Sequence, residues 1–443
     1  MAPLTGRRLR ADLSPLVATL LVAACATAPG PAPMGSSGPR VAAAASPSAG
    51  PCQSGSACAM PARTAAPATG APGPLPSPLP LPPSAAAITL TPGAVRTLPT
   101  GTFALADGRA YTRSAPAEPY PPVTLAEVVL ATGTRHTLLT RPAARVLSSL
   151  VLDGDRLLWV EWWYAHPQAA NGETGGNPNA GQPLLWQVVS DSLASGTLTV
   201  LASGQTSNLP LLGEAASPQP PVLAAEGGRV AFAMDTGTRG VASSEIVVRS
   251  LATNALLRSI RASGYVVQVG LAGQALFYRQ TTDGFAGDAS LLLARSDTEP
   301  PVQIATKVSQ AAMDSERLVW SRSDATDASI WTATLTASAL GGPVPVRVDG
   351  PSGPVGQPGP VAALATGQGL VGWIVWFDTL DPAADSALVL WTPGEAAGRV
   401  LAGQRQPDWV AVQDGMLLWH ESLPLPGHPD THAVPLAAIS SAP

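Results

Sequence analysis

Lysine is almost missing from this chain: Lys307 is the single example in 443 residues. Charged residues of all kinds make up 12% and aromatics only 5%, and the formal net charge is -5. No stretch interleaves basic residues with aromatics, so the cationic footprint that nucleic-acid binding requires is absent and that class is set aside. Cysteine is also scarce. Cys25, Cys52 and Cys58 all fall near the N-terminus, which leaves the rest of the chain without a thiol nucleophile or thiolate metal ligands. There is no G-x-S-x-G elbow, no phosphate-cradling glycine loop and no dinucleotide fingerprint, so no cofactor is expected. Long apolar runs are missing as well: Leu13 to Ala24, about 12 residues, is too short for a stable membrane span.

That run does suit an export signal. Arg7, Arg8 and Arg10 precede it and small residues follow, giving a signal peptide over residues 1–24. Its end, "LVAAC", resembles a bacterial lipobox, which implies cleavage before Cys25 and lipid attachment to that residue. The expectation is therefore an extracytoplasmic protein held to a membrane of the cell envelope by a lipid on Cys25. Removing the leader takes away the three arginines and Asp12 and leaves a net charge of about -7.

Residues 25–86 are dominated by Pro, Ala, Gly and Ser, as in "PGPLPSPLPLPPS", and cannot bury enough apolar surface to offset the entropy of ordering. They read as a flexible linker whose Pro-rich end is stiffened toward polyproline II. Within it "PCQSGSAC" sets Cys52 and Cys58 six residues apart, a spacing open to a disulfide loop in an exported protein and equally to free or intermolecular thiols.

From residue 87 to 443 the pattern is a repeat of short β-strands. Gly, Pro, Asn and Asp punctuate Val/Leu/Ile/Trp-rich runs, and no long stretch carries a helical apolar period. A turn leading into a strand with one aromatic recurs in "DGRAY", "DGDRLLW", "GGRVAF", "GQALF", "SERLVW", "GLVGW" and "DGMLLW". The aromatics are Tyr111, Trp159, Phe232, Phe277, Trp320, Trp373 and Trp419, mostly about 43 to 53 residues apart, close to the length of a four-stranded propeller blade. Each unit yields four strands, a to d from the axis outward, except the last, which ends at "AVPLAAI" without a d strand. The missing strand stands at the other end, in "ITLTPGAVRTLPTG". The expected fold is all-β, a seven-bladed β-propeller of four-stranded antiparallel blades, closed by an N-terminal strand ("AVRTL") that completes the last blade and leaves no open edge. Whether "ITL" also pairs in that blade is open, because "AVPLAAI" competes for the c position.

The repeat resembles the TolB-like and WD-repeat-like propellers of bacterial envelope proteins, in which a DG-type turn leads into an apolar strand ending in an aromatic. The turns here are variable and no blade carries the Trp-Asp dipeptide of WD repeats. What the resemblance implies is architecture; catalytic residues do not carry over.

In such a blade the b–c loops and d–a connections share one rim, and the long variable loops here are b–c loops. That rim is the expected site. Trp162, Trp163 and Tyr164, where strand b runs into its loop, and the similar pair Trp376 and Phe377, are the candidates for recognition. Loop acids Asp283, Asp288, Asp324, Asp327, Asp378, Asp381 and Asp385 read as solvated turn residues, with Asp378, Asp381 and Asp385 the weaker metal candidates. His420, His428, Asp430 and His432 crowd one loop and form another weak metal set. Glu161 and Glu421 stand at matching positions two residues past the repeat aromatic, where Arg113, Arg279 and Arg322 also fall. The alternation of sign reads as an outward blade position near the rim rather than a catalytic carboxylate pair.

The sequence thus points to a monomeric membrane-anchored module that binds or assembles with an envelope protein or glycan through one rim of loops. Two rivals stand beside it: a carbohydrate hydrolase or lyase working through rim carboxylates or the His420–His432 loop, and a scaffold with no small ligand.

Overall fold

Tight turns between inner and second strands set the repeat in three dimensions. Asp107-Gly108, Gln368-Gly369 and Asp414-Gly415 each place two consecutive residues at positive φ, the geometry whose twist matches antiparallel strands joined by a two-residue loop. The computed structural model describes residues 87–440 apart from 92, 115–121, 143–144, 166–182, 207–218, 238–240, 283–288, 325–328, 337, 350–357, 378–385, 403, 405–406 and 422–430. Cys25, Cys52 and Cys58 lie outside the described residues.

After β1 (Arg96–Leu98), strands β2 (Thr102–Ala106), β3 (Arg109–Arg113), β4 (Val123–Val129) and β5 (Thr134–Arg141) form a four-stranded sheet in sequence order. The next is β6 (Val146–Asp153), β7 (Arg156–Tyr164), β8 (Leu184–Ser192) and β9 (Thr197–Thr206). A third comprises β10 (Val222–Glu226), β11 (Arg229–Asp235), β12 (Ser244–Ser250) and β13 (Leu256–Ala262). A seven-stranded sheet then runs through β14 (Tyr265–Ala272), β15 (Ala275–Thr281), β16 (Ala289–Ala294), β17 (Val302–Met313), β18 (Arg317–Arg322), β19 (Ile330–Thr334) and β20 (Val344–Val346). Strands β21 (Val348–Asp349), β22 (Pro358–Gly367), β23 (Leu370–Phe377), β24 (Ser386–Trp391) and β25 (Gly398–Val400) make a five-stranded sheet in the order β21-β25-β24-β23-β22. Finally β26 (Pro407–Gln413), β27 (Met416–Glu421) and β28 (Thr431–Pro435) are joined by β1, and the short helix α1 (Leu436–Ser440) follows.

The protein is an all-β propeller of four-stranded antiparallel blades. Inner strands neighbour one another in turn: β2 and β6, β6 and β10, β10 and β14, β14 and β17, β17 and β22, β22 and β26, and β26 returns to β2. Four sheets have four strands, while the expected seven separate sheets are six among the described residues. The reason is β17, which pairs with β16 from Val302 to Val308 and with β18 from Val308 to Met313. The one parallel pairing between named strands is β21 on β25.

The N-terminal strand takes the expected place: Arg96, Thr97 and Leu98 pair with Ala433, His432 and Thr431 of β28. "ITL" goes elsewhere. Ile88 bridges to Leu401 at the end of the five-stranded sheet, through Ile88 N–H donating to Val400 O and Ala402 N–H donating to Ile88 O. The end of "AVPLAAI" is likewise no strand, since Leu436–Ser440 turns into α1.

The repeat aromatics pack between sheets, though not all the same way. Trp159 joins Leu125 of the preceding sheet, Phe232 joins Leu158 and Trp186, Trp373 joins Val319 and Ile330, and Trp419 joins Ile374 and Leu388. Trp320 likewise reaches back, into one cluster with Phe277 and Leu291. Phe277 itself faces forward, and its neighbours Leu276 and Tyr278 reach back to Ile246 and Val248. Tyr111 also faces forward, opposite Glu127, while Ala110 meets Leu418 and Ala433. The expected equivalence of all seven is thus corrected: with a side-chain period of two, a one-residue offset turns an aromatic to the other face.

Polar latches join successive sheets at the a–b turn rim. Asp153 accepts from the Gly227 and Gly228 amides, Thr366 Oγ1 donates to Asp314, Gly415 N–H donates to Gln368, and Leu105 N–H donates to Gln413.

Candidate functional site at the loop-bearing rim

Strands b end and strands c begin at the opposite rim, where d–a connections also cross. Along β7, alternation sends Leu158 and Val160 to one face and Leu157 and Trp159 to the other. The same rule divides the aromatic triplet. Trp162 and Tyr164 turn toward the third sheet, half-buried against the cluster that holds Leu184 and Trp186, with their rings edge-to-face at 6.0 Å. Trp163 turns toward the first sheet, on the side of Glu161.

Glu161 is buried, with only 2% of its side chain exposed. Three donors hold it: Arg141 Nε at 3.1 Å, Arg145 Nη1 at 3.2 Å and Gln187 Nε2 at 3.0 Å. A buried carboxylate demands such compensation, because leaving water costs more than one distant counter-charge returns. Arg145 also lies 3.4 Å from the centroid of the Trp163 ring, a cation–π stack. Arg113 arrives from β3 of the first sheet and donates to Leu147 O at 2.9 Å, and Leu147 is the register partner of Glu161. Burial lowers the pKa of Arg113. The result is two guanidiniums on one buried carboxylate, one of them stacked on an indole, between two blades at the rim. Arg141, Arg145 and Gln187 were not singled out from the sequence. The usable signal was "TRPAARV": a d–a connection rich in Arg at the rim shared with the b–c loops.

Position matching misled on the charges two past the aromatic. Glu161 and Arg279 are buried, not outward-facing. Arg279 faces forward as Phe277 does, donates to Gln268 Oε1 at 3.1 Å and is pushed down to about 10 by burial. Glu421 lies beside His432 Nε2, at 3.5 Å, and points back toward the five-stranded sheet as Trp419 does. Glu161 and Glu421 therefore stand at different inter-blade spaces and form no carboxylate pair. Arg322 forms a bidentate pair with Asp324, both contacts at 2.8 Å, which holds that exposed carboxyl below its usual range.

His420 and His432 are separated as well. In the β27–β28 register His420 faces Thr431 and His432 faces Trp419, so the imidazoles leave opposite faces of the sheet. His420 stacks on Trp409 and its Nε2 lies 2.8 Å from Thr102 O; His432 stacks on Trp419. They cannot share a metal ion. His428, Asp430, Asp378, Asp381, Asp385, Asp283, Asp288 and Asp327 lie outside the described residues, and among those described no group of three His, Cys, Asp or Glu is placed to hold a metal. Trp376 is 39% exposed at the end of β23, while the Phe377 side chain lies outside the described residues.

A second rim cluster escaped the sequence reading. Asp235, at the end of β11, accepts from Ser244 Oγ at 3.1 Å, and Ser244 Oγ accepts from Val266 N–H at 3.0 Å. Burial, only partly offset by that hydrogen bond, pushes Asp235 up to about 6, and burial together with Asp235 raises Tyr265.

No protein-family model and no curated protein sequence matches this chain. Solved structures resemble it in fold. An acylaminoacyl peptidase from Pyrococcus horikoshii aligns over 72% of this chain and 48% of its own at 10% identity and TM-score 0.44. This chain thus spans about half the length of that peptidase. TolB from Acinetobacter baumannii aligns over 66% of this chain and 65% of its own at 14% identity and TM-score 0.36. The polysaccharide lyase Uly1 aligns over 76% and 90% at 11% identity and TM-score 0.41.

Proposed function

We propose that this protein is a lipid-anchored, extracytoplasmic seven-bladed propeller that binds an envelope protein or glycan through its loop-bearing rim. Two facts support seven units. Seven inner strands follow one another around the ring, and the long strand β17 supplies the outer strand of one unit and the inner strand of the next. A register shift between Val308 and Gln310 and the positive φ of Lys307 mark where it changes partner.

The observation that carries the binding reading is the Glu161–Arg145–Trp163 arrangement. It holds a charged and aromatic surface rigid at the rim between two blades, and preorganised side chains lose little entropy when a ligand is taken up. Glu161 and Glu421 do not supply a carboxylate pair for the enzyme reading, because Glu161 is held by three donors and Glu421 faces another sheet.

Anchoring is tested by Cys25→Ser, which should move the protein from membranes to the soluble fraction; unchanged membrane association would refute it. Rim binding is tested by retention of the full-length protein on immobilised envelope glycan and envelope-protein fractions. Trp163→Ala with Trp376→Ala should weaken retention at least about tenfold, equivalent to roughly 1.4 kcal/mol. Equal retention by the folded variant would end the rim reading.

A further inference from the structure

We propose that the turn-bearing rim holds a pocket for a free α-amino acid with a branched aliphatic side chain, where the N-terminal segment and α1 meet the five-stranded sheet. A cavity of about 130 Å³ lies there. Its chemistry divides by depth. Ile88, Leu370 of β23, Leu390 of β24 and Ile439 of α1 line it, and all four are buried. Thr392, Glu395 and Arg399 complete the lining from the connection between β24 and β25 and from β25 itself, with the Glu395 and Arg399 side chains 35% and 22% exposed. The floor is thus aliphatic, and the mouth carries one charge of each sign.

Local hydrogen bonds set those charges in place. Thr392 N–H donates to Glu395 Oε2 at 3.0 Å, and Arg399 Nη2 donates to Glu395 Oε1 at 3.4 Å. The turn is closed by Glu395 N–H donating to Thr392 O and by Trp391 Nε1 donating to Glu395 O, both at 3.0 Å. A site so ordered loses little entropy when a ligand enters. Opposite charges side by side then select the ligand. A guanidinium has several N–H donors and a carboxylate several lone pairs, so each can keep the other while taking a ligand's charge. A lone carboxylate would meet Glu395 as well as Arg399, and a lone ammonium would meet Arg399 as well as Glu395, so repulsion cancels much of the gain. An α-amino acid carries both charges on one carbon and gives each its opposite. Size agrees: an apolar cavity of about 150 Å³ holds benzene, so this one admits the four-carbon side chain of leucine or isoleucine with the charged groups at the mouth. The pocket lies on the rim opposite Trp163 and Trp376 and stands apart from the rim-binding reading.

The test is calorimetric titration of the full-length protein with leucine, 4-methylpentanoate, isoamylamine and glycine. The second and third keep the aliphatic chain with one charge each, and glycine keeps both charges without the chain. Leucine should bind, and each of the others should bind at least tenfold more weakly. Arg399→Gln and Glu395→Gln, at partly exposed positions, should each weaken leucine binding tenfold or more. Leucine should also raise the thermal unfolding midpoint of the wild type, because it joins the N-terminal segment, the five-stranded sheet and α1, and should raise that of Arg399→Gln far less. Trp163→Ala with Trp376→Ala should bind leucine as the wild type does.

The pocket is overturned if leucine neither binds nor shifts the midpoint, or if folded Arg399→Gln and Glu395→Gln both bind leucine as tightly as the wild type. It is equally overturned if 4-methylpentanoate or isoamylamine matches leucine, since the paired charges would then select nothing, or if glycine matches it, since the aliphatic floor would then be unused. Loss of leucine binding in the folded double tryptophan variant would move the site to the other rim and refute this one.

Discussion

Phe277 and Trp320 belong to one hydrogen-bonded sheet and yet pack into one apolar cluster with Leu291, Val308 and Leu318. A sheet reaches its own face only by folding back on itself, and β17, with its register shift and the left-handed Lys307, is where this one folds. Trp320→Ala should cost about 3–5 kcal/mol, the usual loss for a buried large aromatic. Hydrogen exchange should then quicken in β15 and β18 together; wild-type protection of β15 in the variant would show that the two halves do not share a core.

The N-terminal segment is tied to the propeller at two separate places. Leu98 is buried with Leu105, Leu418 and Ala433, while Ile88 is buried with Leu401 and Ile439 and hydrogen-bonds beside Val400. Leu98→Ala should cost about 2–4 kcal/mol. Deleting residues 88–100 should lower the thermal unfolding midpoint of the whole propeller, because it exposes the β28 edge and opens a second core. An unaltered midpoint for the deletion would contradict the closure.

Stability should depend on pH through Asp235. Its carboxyl sits near 6 in the folded protein, above its value in the unfolded chain, so the folded state holds the proton more tightly. The resulting stabilisation is full below about pH 4 and is lost as pH rises through about 6. Asp191 and Glu226, also raised mainly by burial, act in the same direction. Asp235→Asn should therefore stabilise the protein by about 1–2 kcal/mol at neutral pH, a figure reduced for the partial solvent access of the site, and by almost nothing near pH 4. Denaturant unfolding at both pH values decides it: an equal gain at the two would exclude titration as the cause.

Much of the fold was legible because strand periodicity and turn chemistry are local. "DGRAY" and "DGMLLW" announce tight turns through residues suited to positive φ, and the orphan "AVRTL" could be assigned from the missing strand at the other end of the chain. The site was less legible. Trp162 and Trp163 are neighbours in sequence and leave opposite faces of β7; one packs against Trp186 and the other stacks on Arg145. The repeat suggested that Phe277 and Trp159 were equivalent, yet a one-residue offset turns them toward opposite neighbours.

The chain alone determined the class, the four-strand unit and the use of its N-terminus to finish the last sheet, because each follows from short-range alternation, turn residues and the count of strands. Tertiary structure alone decided which charges meet. Arg141, Arg145 and Glu161 come from different strands and connections, and His420 and His432 part although they lie close in sequence. Whether two side chains share an inter-blade space depends on strand parity and on which blade lies next to them, and neither is written in the spacing of residues along the chain.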